Sequence, residues 1–441
     1  MQISIISLGC CKNRVDTEQM LYALRQAGHT FVEETDAEAV VINTCGFLAA
    51  AKQEALETIA QAYQSNPAAR IIVTGCLGQR EPQLLQSTPG VSAVLGVGEH
   101  LDITKALTKS SPTSPPETKA INSQALCQPR LLSTPPYLAY LRISDGCDNR
   151  CAYCAIPDIR GPYRSAPFED VINEAKQFVK NGVKELCVVA QDTTRYGIDL
   201  HPAGKAPRLA ELLCALADID SGVWVRFLYA YPEMITPQLL GAIESRPNIC
   251  RYIDVPIQHT HDDILSAMNR RSTAAQLKSM VESVRSRKEK YALRTTVICG
   301  FPGETPAHHR DMLKFLQEHP FDRLGGFAYS REAGTPAHGL PGQLDEKTKQ
   351  KRLKSVMRQQ ERIAKALQKT RMGGVEDVLI EGALSPSYPD EAPIYIGRSQ
   401  YEAPEIDGKI YITSRQPLVS GQIISVKITG AQTHDLIGEA R

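Results

Sequence analysis

The sequence predicts a mixed α/β chain that ends in a small all-β unit. Three observations predict it. Short apolar runs alternate with helically spaced segments over residues 1–106 and again over 137–346, a Ser/Pro-rich break separates the two stretches, and glycine and proline punctuate the chain after residue 373. At 441 residues there is chain enough for several domains. No apolar run approaches the roughly 20 residues that a membrane helix needs. The start, Met1-Gln2-Ile3-Ser4-Ile5, has no basic segment ahead of its short apolar run, so a cytoplasmic location is expected. In that reducing compartment the twelve cysteines are packing residues, metal ligands or nucleophiles rather than a disulfide framework.

Taken in order, buried parallel strands are predicted at residues 3–8, 39–42, 70–73 and 93–97, with helices at 17–26 and 47–63. Residues 109–136, built around Ser-Pro-Thr-Ser-Pro-Pro, show no periodicity and little to bury, as in a linker. Six further strands follow at 138–144, 185–190, 224–230, 252–257, 294–299 and 323–329, with helices between them such as 168–180, 210–217 and 274–291. Repeated βα units of this length build an open doubly wound sheet or a barrel-like curve, with function at the carboxyl ends of the strands. Residues 347–371 read as one helix with Leu353, Val356, Met357, Ile363, Ala364 and Leu367 on its apolar face. In the tail, strand-like runs at 378–381, 394–396, 409–413 and 422–429 predict a barrel of about five strands.

The formal charge of +1 conceals an uneven distribution. Residues 1–106 carry 7 basic and 11 acidic residues, a net −4, and residues 373–441 carry 5 and 10, a net −5. Residues 347–371 hold ten basic residues and only Glu361, a net +9.

Cys147, Cys151 and Cys154 stand in Asp-Gly-Cys-Asp-Asn-Arg-Cys-Ala-Tyr-Cys, directly after the first predicted strand of the central segment. Thiolates so closely spaced at a strand end can converge on one metal centre, and soft thiolates select zinc or an iron–sulfur cluster. Structural zinc normally takes four protein ligands, whereas a 4Fe-4S cluster on three thiolates keeps one iron open to an exogenous molecule. Cys10, Cys45 and Cys76 are distant in sequence, yet each follows a predicted strand. In a parallel sheet those carboxyl ends share one edge, so the three thiols can meet in one crevice, with Gly9, Gly46 and Gly75 permitting close backbone approach. The alternative for this set is three unrelated half-buried cysteines. Packing is predicted for Cys127, Cys187, Cys214, Cys250 and Cys299.

Cys-x-x-x-Cys-x-x-Cys, with Tyr153 before its last cysteine, resembles the signature of the radical S-adenosylmethionine (SAM) superfamily. The resemblance implies a partial (βα)6 radical-SAM barrel. It also implies a 4Fe-4S cluster whose open iron chelates the amino and carboxylate groups of SAM before cleavage to a 5′-deoxyadenosyl radical. Ile298-x-Gly300-Phe301-Pro302-Gly303-Glu304 resembles the turn that this superfamily sets beside adenine, while Ala190-Gln191-Asp192-Thr193 stands where Gly-Gly-Glu is usual. Contacts to SAM are thereby implied for Tyr153, Gln191, Gly300, Phe301, Pro302 and Gly303.

Ser7-Leu8-Gly9-Cys10-x-Lys12-Asn13, then Asp16-x-Glu18, Asn43-Thr44-Cys45 and Thr74-Gly75-Cys76, resembles the amino-terminal domain of methylthiotransferases. In that family the matching cysteines hold a second 4Fe-4S cluster, also with one open iron. Proline is common after the first ligand; here Cys11 follows, and Cys10 keeps the ligand's place. The domains implied are an amino-terminal methylthiotransferase domain (1–106), the linker (107–136), a radical-SAM core (137–346), a basic helix (347–372) and a TRAM barrel (373–441).

Family members act on tRNA adenosine or on a protein. Lys12-Asn13 stands where tRNA-directed members typically carry Met-Asn or Val-Asn. It resembles the protein-directed branch, as do Asp254-Val255-Pro256-Ile257-Gln258-His259, Asp322-Arg323-Leu324-Gly325 and Ala403-Pro404-Glu405-Ile406-Asp407-Gly408. That branch implies methylthiolation of an aspartate β-carbon in the small-subunit ribosomal protein S-twelve, with an electron donor as a further partner. A barrel of charge −5 is badly suited to phosphate, so tRNA is disfavoured and a basic protein suits it. Arg160, in Ile156-Pro157-Asp158-Ile159-Arg160-Gly161, is a candidate contact for the substrate carboxylate, a surface salt link being the alternative. A tRNA adenosine methylthiotransferase and a non-catalytic iron–sulfur carrier are the competing functions.

Overall fold

The computed structural model describes residues 1–108, 123, 126–200, 208–385 and 393–441. The Ser-Pro-Thr-Ser-Pro-Pro core of the linker lies outside the described residues.

The amino-terminal sheet contains β1 (Gln2–Ser7), β2 (Thr30–Phe31), β3 (Ala39–Thr44), β4 (Arg70–Gly75) and β5 (Val91–Val94), all parallel, in the order β2-β1-β3-β4-β5. Helices α1 (Cys11–Gln26), α2 (Ala49–Ser65), α3 (Cys76–Arg80), α4 (Pro82–Gln86) and α5 (Ile103–Ala106) connect and flank the strands. Two apolar layers, one around Val40, Ile42 and Ile59 and the other around Ile3, Met20 and Leu24, cover its faces. Helix α1 begins at Cys11, six residues before the predicted start. Its first turns bury Lys12, Asn13, Asp16, Thr17, Glu18 and Gln19, so a polar buried face hides the apolar period that marks a helix.

The central domain places β6 (Leu138–Arg142), β9 (Glu185–Val189), β10 (Trp224–Phe227), β11 (Tyr252–Asp254), β12 (Ala292–Cys299) and β13 (Arg323–Ala328) side by side in chain order. Strands β6, β9 and β10 pair in parallel, as do β11, β12 and β13. Main-chain bonds from Val225 N to Asn248 O and from Ala230 N to Asp254 O (both 2.8 Å) join the two sets into the six-stranded curve expected. A short antiparallel ribbon, β7 (Ser144–Asp145) with β8 (Arg164–Ser165), closes the loop between them. Helices α6 (Ile156–Arg160), α7 (Phe168–Lys180), α8 (Leu209–Ala217), α9 (Pro237–Glu244), α10 (Asp262–Ala267), α11 (Ala274–Arg285) and α12 (Pro306–Glu318) complete the βα units. A core built on Leu141, Val188, Phe227 and Leu293 packs against those helices.

Helix α13 (Glu346–Lys369) is capped by the Asp345 carboxylate and lies along β13, where Leu353 and Met357 fill the space above Gly326. Its buried face is more polar than the apolar stripe predicted. Lys349 donates to Tyr329 O (2.9 Å), Gln360 to Phe321 O (2.9 Å) and Gln368 to His434 O (2.8 Å), while Met357 is partly exposed. The tail forms a closed barrel, β14 (Val375–Leu384), β15 (Ile394–Ser399), β16 (Ile410–Thr413), β17 (Ile423–Ala431) and β18 (Leu436–Ala440), in the order β14-β15-β16-β18-β17. Its fifth strand, β18, is not among the runs read from sequence.

Buried ion pairs dock the parts. Arg398 of the barrel joins Glu185 on β9 (2.7 Å), which also accepts from Arg226 (2.7 Å). Arg323 reaches Glu402 (3.0 Å), and the Tyr140 and Tyr252 hydroxyls donate to Glu405 and Asp407. The end of the expected linker is also packed. Leu126 is fully buried, and Arg130 pairs with Glu18 (2.5 Å) and Glu174 (2.7 Å), so residues 126–136 wedge the first domain against the second.

Arg398 and Arg226 outweigh the burial that would raise Glu185, and hold its carboxyl at about 2 against an ordinary 4.5. A depressed carboxylate contributes its stability above the unfolded value and loses it as pH falls toward the folded one. Stability is therefore expected to decline between pH 4.5 and 2, measured by denaturant unfolding across that range. Glu185→Gln should remove part of this acid limb and cost ~3–5 kcal/mol at pH 7, because two buried guanidinium groups lose their counter-charge.

Candidate functional site

The β7–β8 ribbon holds a loop from Gly146 to Tyr163 at the carboxyl end of β6, and Cys147, Cys151 and Cys154 all lie in it. Gly146 has φ +75°, and a Cβ there would stand 2.2 Å from Pro162 O, so the loop's neck admits glycine alone. Cys147 N donates to Gly161 O (3.1 Å) and Cys154 N to Cys151 O (3.0 Å). Each sulfur has a donor aimed at it: Asn149 Nδ2 at Cys147 (3.4 Å), Arg270 Nη1 at Cys151 (3.7 Å) and the Ile156 amide at Cys154 (3.5 Å). Burial raises the Cys147 thiol and pushes Cys154 up to about 12, a cost that a bound cation would offset.

The residues expected to meet SAM gather around this loop. Tyr153 shares an apolar cluster with Phe301, Tyr329 and Ile298. Gly300 (φ +78°) and Gly303 (φ +81°) shape the turn that follows β12. The Gly300 and Phe301 amides donate to Glu304, whose other oxygen pairs with Arg352 of α13 (2.9 Å). Gln191, after β9, has both side-chain polar atoms buried without a hydrogen-bond partner, and the buried His259 Nε2 is likewise unpartnered. Buried amides left unpaired cost ~1–3 kcal/mol, and a polar ligand beside Gln191 removes that cost. The donor set thus fits a cluster with an open position and an amphipathic ligand next to it.

In the amino-terminal domain Cys10, Cys45 and Cys76 follow β1, β3 and β4 on one sheet edge, as the parallel topology requires. Gly9 (φ +90°) approaches so closely that a Cβ would sit 2.9 Å from Cys45 Cβ. Asn13 ties the edge together, donating to Leu8 O (3.0 Å) and Thr44 O (2.9 Å) and accepting from Cys76 Sγ at 3.8 Å. Burial pushes Cys76 up to about 12 and also raises Cys45. Packing would raise Cys10 as well, but the charges of Lys12 and Arg160 and the Asn13 amide bring it below its ordinary value. Cys11 points elsewhere, into the layer between α1 and the barrel, with its sulfur 3.6 Å from the Tyr229 hydroxyl.

Among the described residues, the His, Cys, Asp and Glu group whose ligand atoms all lie within 4.8 Å of one another is His261, Asp263 and His308. There His261 Nδ1 accepts from Asp263 N (3.3 Å) and His308 Nδ1 from Thr305 N (3.3 Å), so both rings cap helices. The cysteine triads are more open. A single zinc holds thiolates at about 2.3 Å, which brings them within roughly 4 Å of each other; a wider set suits a centre of several metal atoms.

Two features join the triads. Helix α6, which follows Cys154 directly, ends in Arg160, which is buried. Its guanidinium bonds Asp145 (2.8 Å), Asp16 (2.8 Å) and Asn13 Oδ1 (3.0 Å) and lies 3.8 Å from Cys76 Sγ. The surface salt link offered as the alternative is not what forms, for the side chain is buried and its Nη groups bond Asp145, Asp16 and Asn13. It anchors one triad to the other. The second feature is Tyr229-Ala230-Tyr231, after β10, which the sequence analysis did not single out. The Tyr229 hydroxyl faces Cys11 and that of Tyr231 faces Cys151 Sγ (3.6 Å), so one short segment touches both cysteine loops. Tyr229 has φ +65°, a costly conformation for an aromatic residue, held by Asp254 through the Tyr229 and Ala230 amides. Arg270 was also missed; it stacks on Tyr231 (4.2 Å), and nothing in its local sequence marks it.

Arg160→Ala leaves Asp16 and Asp145 buried with fewer partners, and should cost ~3–5 kcal/mol in denaturant unfolding. A surface pair would cost under ~1 kcal/mol.

Comparison with known proteins agrees with this geometry. Residues 2–96 match the family described as "Uncharacterized protein family UPF0004", residues 141–316 the radical SAM superfamily, and residues 372–440 the TRAM domain. A radical S-adenosylmethionine methyltransferase from Kitasatospora setae, TsrM, shares the fold over 85% of this chain and 80% of its own, with TM-score 0.58 and 14% identity. The ribosomal protein uS12 methylthiotransferase RimO of Desulforamulus reducens is 43% identical, covering 99% of each chain. That of Clostridioides difficile is 42% identical over 100% of this chain and 98% of its own. At that identity over the whole length, with the amino-terminal, radical-SAM and TRAM regions all matched, the chain belongs to the RimO family of radical-SAM methylthiotransferases.

Proposed function

We propose that this enzyme installs a methylthio group on the β-carbon of an aspartate in ribosomal protein uS12, using two 4Fe-4S clusters, SAM and an external electron donor. The observation that carries the reading is the pair of cysteine triads at two strand-end edges, joined through Arg160, with Tyr231 against Cys151 and Tyr229 against Cys11, the neighbour of Cys10. Cys147, Cys151 and Cys154 would hold one cluster and Cys10, Cys45 and Cys76 the other. Bound there, the clusters and SAM would supply the radical that removes a hydrogen from an unactivated carbon and the sulfur that takes its place.

The chain's own residues prepare the space. Asn149 directs an N–H group at Cys147, which favours its thiolate form, and Arg270 directs one at the Cys151 sulfur. Tyr153, Phe301 and Tyr329 wall the SAM side with apolar surface and keep water from a reactive radical. Gln191 offers an amide donor and acceptor to the polar end of SAM. The Gly300–Glu304 turn is locked by its own carboxylate and by Arg352, so the surface offered to adenine is formed before binding.

Cys151→Ala should abolish formation of 5′-deoxyadenosine under reducing conditions. Cys45→Ala should retain that cleavage, hold roughly half the iron and fail to methylthiolate uS12, as read by mass spectrometry. Full methylthiolation by Cys45→Ala would overturn the assignment of the amino-terminal triad. Modification of a tRNA adenosine in place of uS12 would overturn the substrate.

A further inference from the structure

Among the described residues, every buried cation or acid around the amino-terminal triad but one has an oppositely charged partner. Arg142 and Arg160 share Asp16 and Asp145, and Arg14 pairs with Glu405 (2.8 Å), which also accepts from Tyr140. Lys12 has no such partner. Only 9% of its surface is exposed, and among the described residues no carboxylate lies within ion-pair distance of its Nζ. Its ammonium instead sits 3.5 Å from the centroid of the Tyr229 ring. Its charge acts on the nearby Cys10 sulfur, and a nearly buried ammonium with no carboxylate partner leaves donors free for an incoming anion.

Its position says which anion. Lys12 stands two residues after Cys10, at the start of α1, and Tyr229 belongs to the segment that continues to Tyr231 beside Cys151. The ammonium thus stands on the helix that follows the first triad's Cys10, and its ring seat belongs to the segment that reaches the second triad. Tyr229 is held there in its positive-φ conformation by Asp254 and by the Thr193 amide, so the ring that seats Lys12 is fixed by the barrel rather than by α1. In an aspartate side chain the β-carbon carries the carboxylate directly. An ammonium–carboxylate hydrogen bond of about 2.8 Å thus places that carbon about 4 Å from Nζ.

We propose that Lys12, seated on Tyr229, binds the side-chain carboxylate of the target aspartate and is the residue by which the enzyme selects a carboxylate-bearing carbon. This rests on the reaction proposed above and names the specificity-determining group for it.

The test uses purified holoenzyme with uS12 and with uS12 whose target aspartate is replaced by asparagine. Binding of each labelled protein is measured anaerobically beside methylthio transfer. The wild-type enzyme should prefer the aspartate form by about 10- to 100-fold in both affinity and kcat/KM. Lys12→Met should collapse that preference to within about threefold, and Lys12→Arg should restore most of it. The preference is a ratio within one variant, so a change in cluster content cancels. An undiminished preference in Lys12→Met overturns the inference and leaves Lys12 as a counter-charge to the cysteines. A wild-type enzyme that binds the aspartate form selectively but transfers no methylthio group overturns the proposed reaction and not the role of Lys12.

Discussion

The arrangement of this molecule depends on one buried network, Asp16 and Asp145 between Arg142 and Arg160. Asp16 comes from α1 of the first domain, and the other three come from β6, β7 and α6 of the second. Taking four charges out of water is expensive, and it becomes tolerable only when each has an opposite charge and its hydrogen bonds are met. That condition holds for one relative placement of the two domains. Rotation or translation of a few ångströms would strand an ion in a medium that cannot solvate it. Arg142 and Arg160 keep the Asp16 carboxyl well below the usual carboxylate range despite its burial, as a network settled in its ionised form requires. Because Arg160 also touches Cys76 and follows Cys154 by six residues, the same constraint sets the distance between the triads.

A second set of buried ions seats the barrel under the curved sheet, and it revises the reading of charge. The net −5 of the tail resembles a free acidic surface, but much of its acid is already matched. Glu376 and Glu402 face Arg371, Glu381 faces Arg398 and Lys409, Glu402 also faces Arg323, and Glu405 faces Arg14. An acid that answers a neighbouring arginine offers little long-range field to a basic partner. The barrel's charge is therefore chiefly a docking device, and the assignment of a protein substrate rests on family membership instead. The basic helix behaves similarly at one edge, where Lys349, Arg352 and Arg371 are buried in internal bonds.

Burial, the same force that joins the domains, also loads the site. It raises the thiols of Cys147, Cys154, Cys45 and Cys76, leaves the Gln191 amide unsatisfied, and keeps the Lys12 ammonium on an aromatic ring without a carboxylate partner. Each of these carries a cost that a ligand of complementary chemistry relieves. Strain at Tyr229 belongs with them, a local cost that the packing of Asp254 and Thr193 sustains at the place where the two cysteine loops meet.

Periodicity and spacing by themselves determined the succession of βα units, the closed barrel's character and the two cysteine triads. These rest on local rules: side-chain alternation along a strand, ligand spacing along a loop, and the shared edge of a parallel sheet. Where burial is polar the rules fail. The first turns of α1 and the inner face of α13 were misjudged because asparagine, aspartate, glutamine and arginine there are buried by partners far away in the chain. Arg160 could be noticed but not interpreted, since Asp16 lies 144 residues before it. Tyr229, Tyr231 and Arg270 gave no signal at all, for their meaning is a contact with cysteines on other loops. Only the tertiary structure decided which ions pair, which ammonium stays unpaired and how the triads face each other, because those are properties of distances that local sequence does not contain.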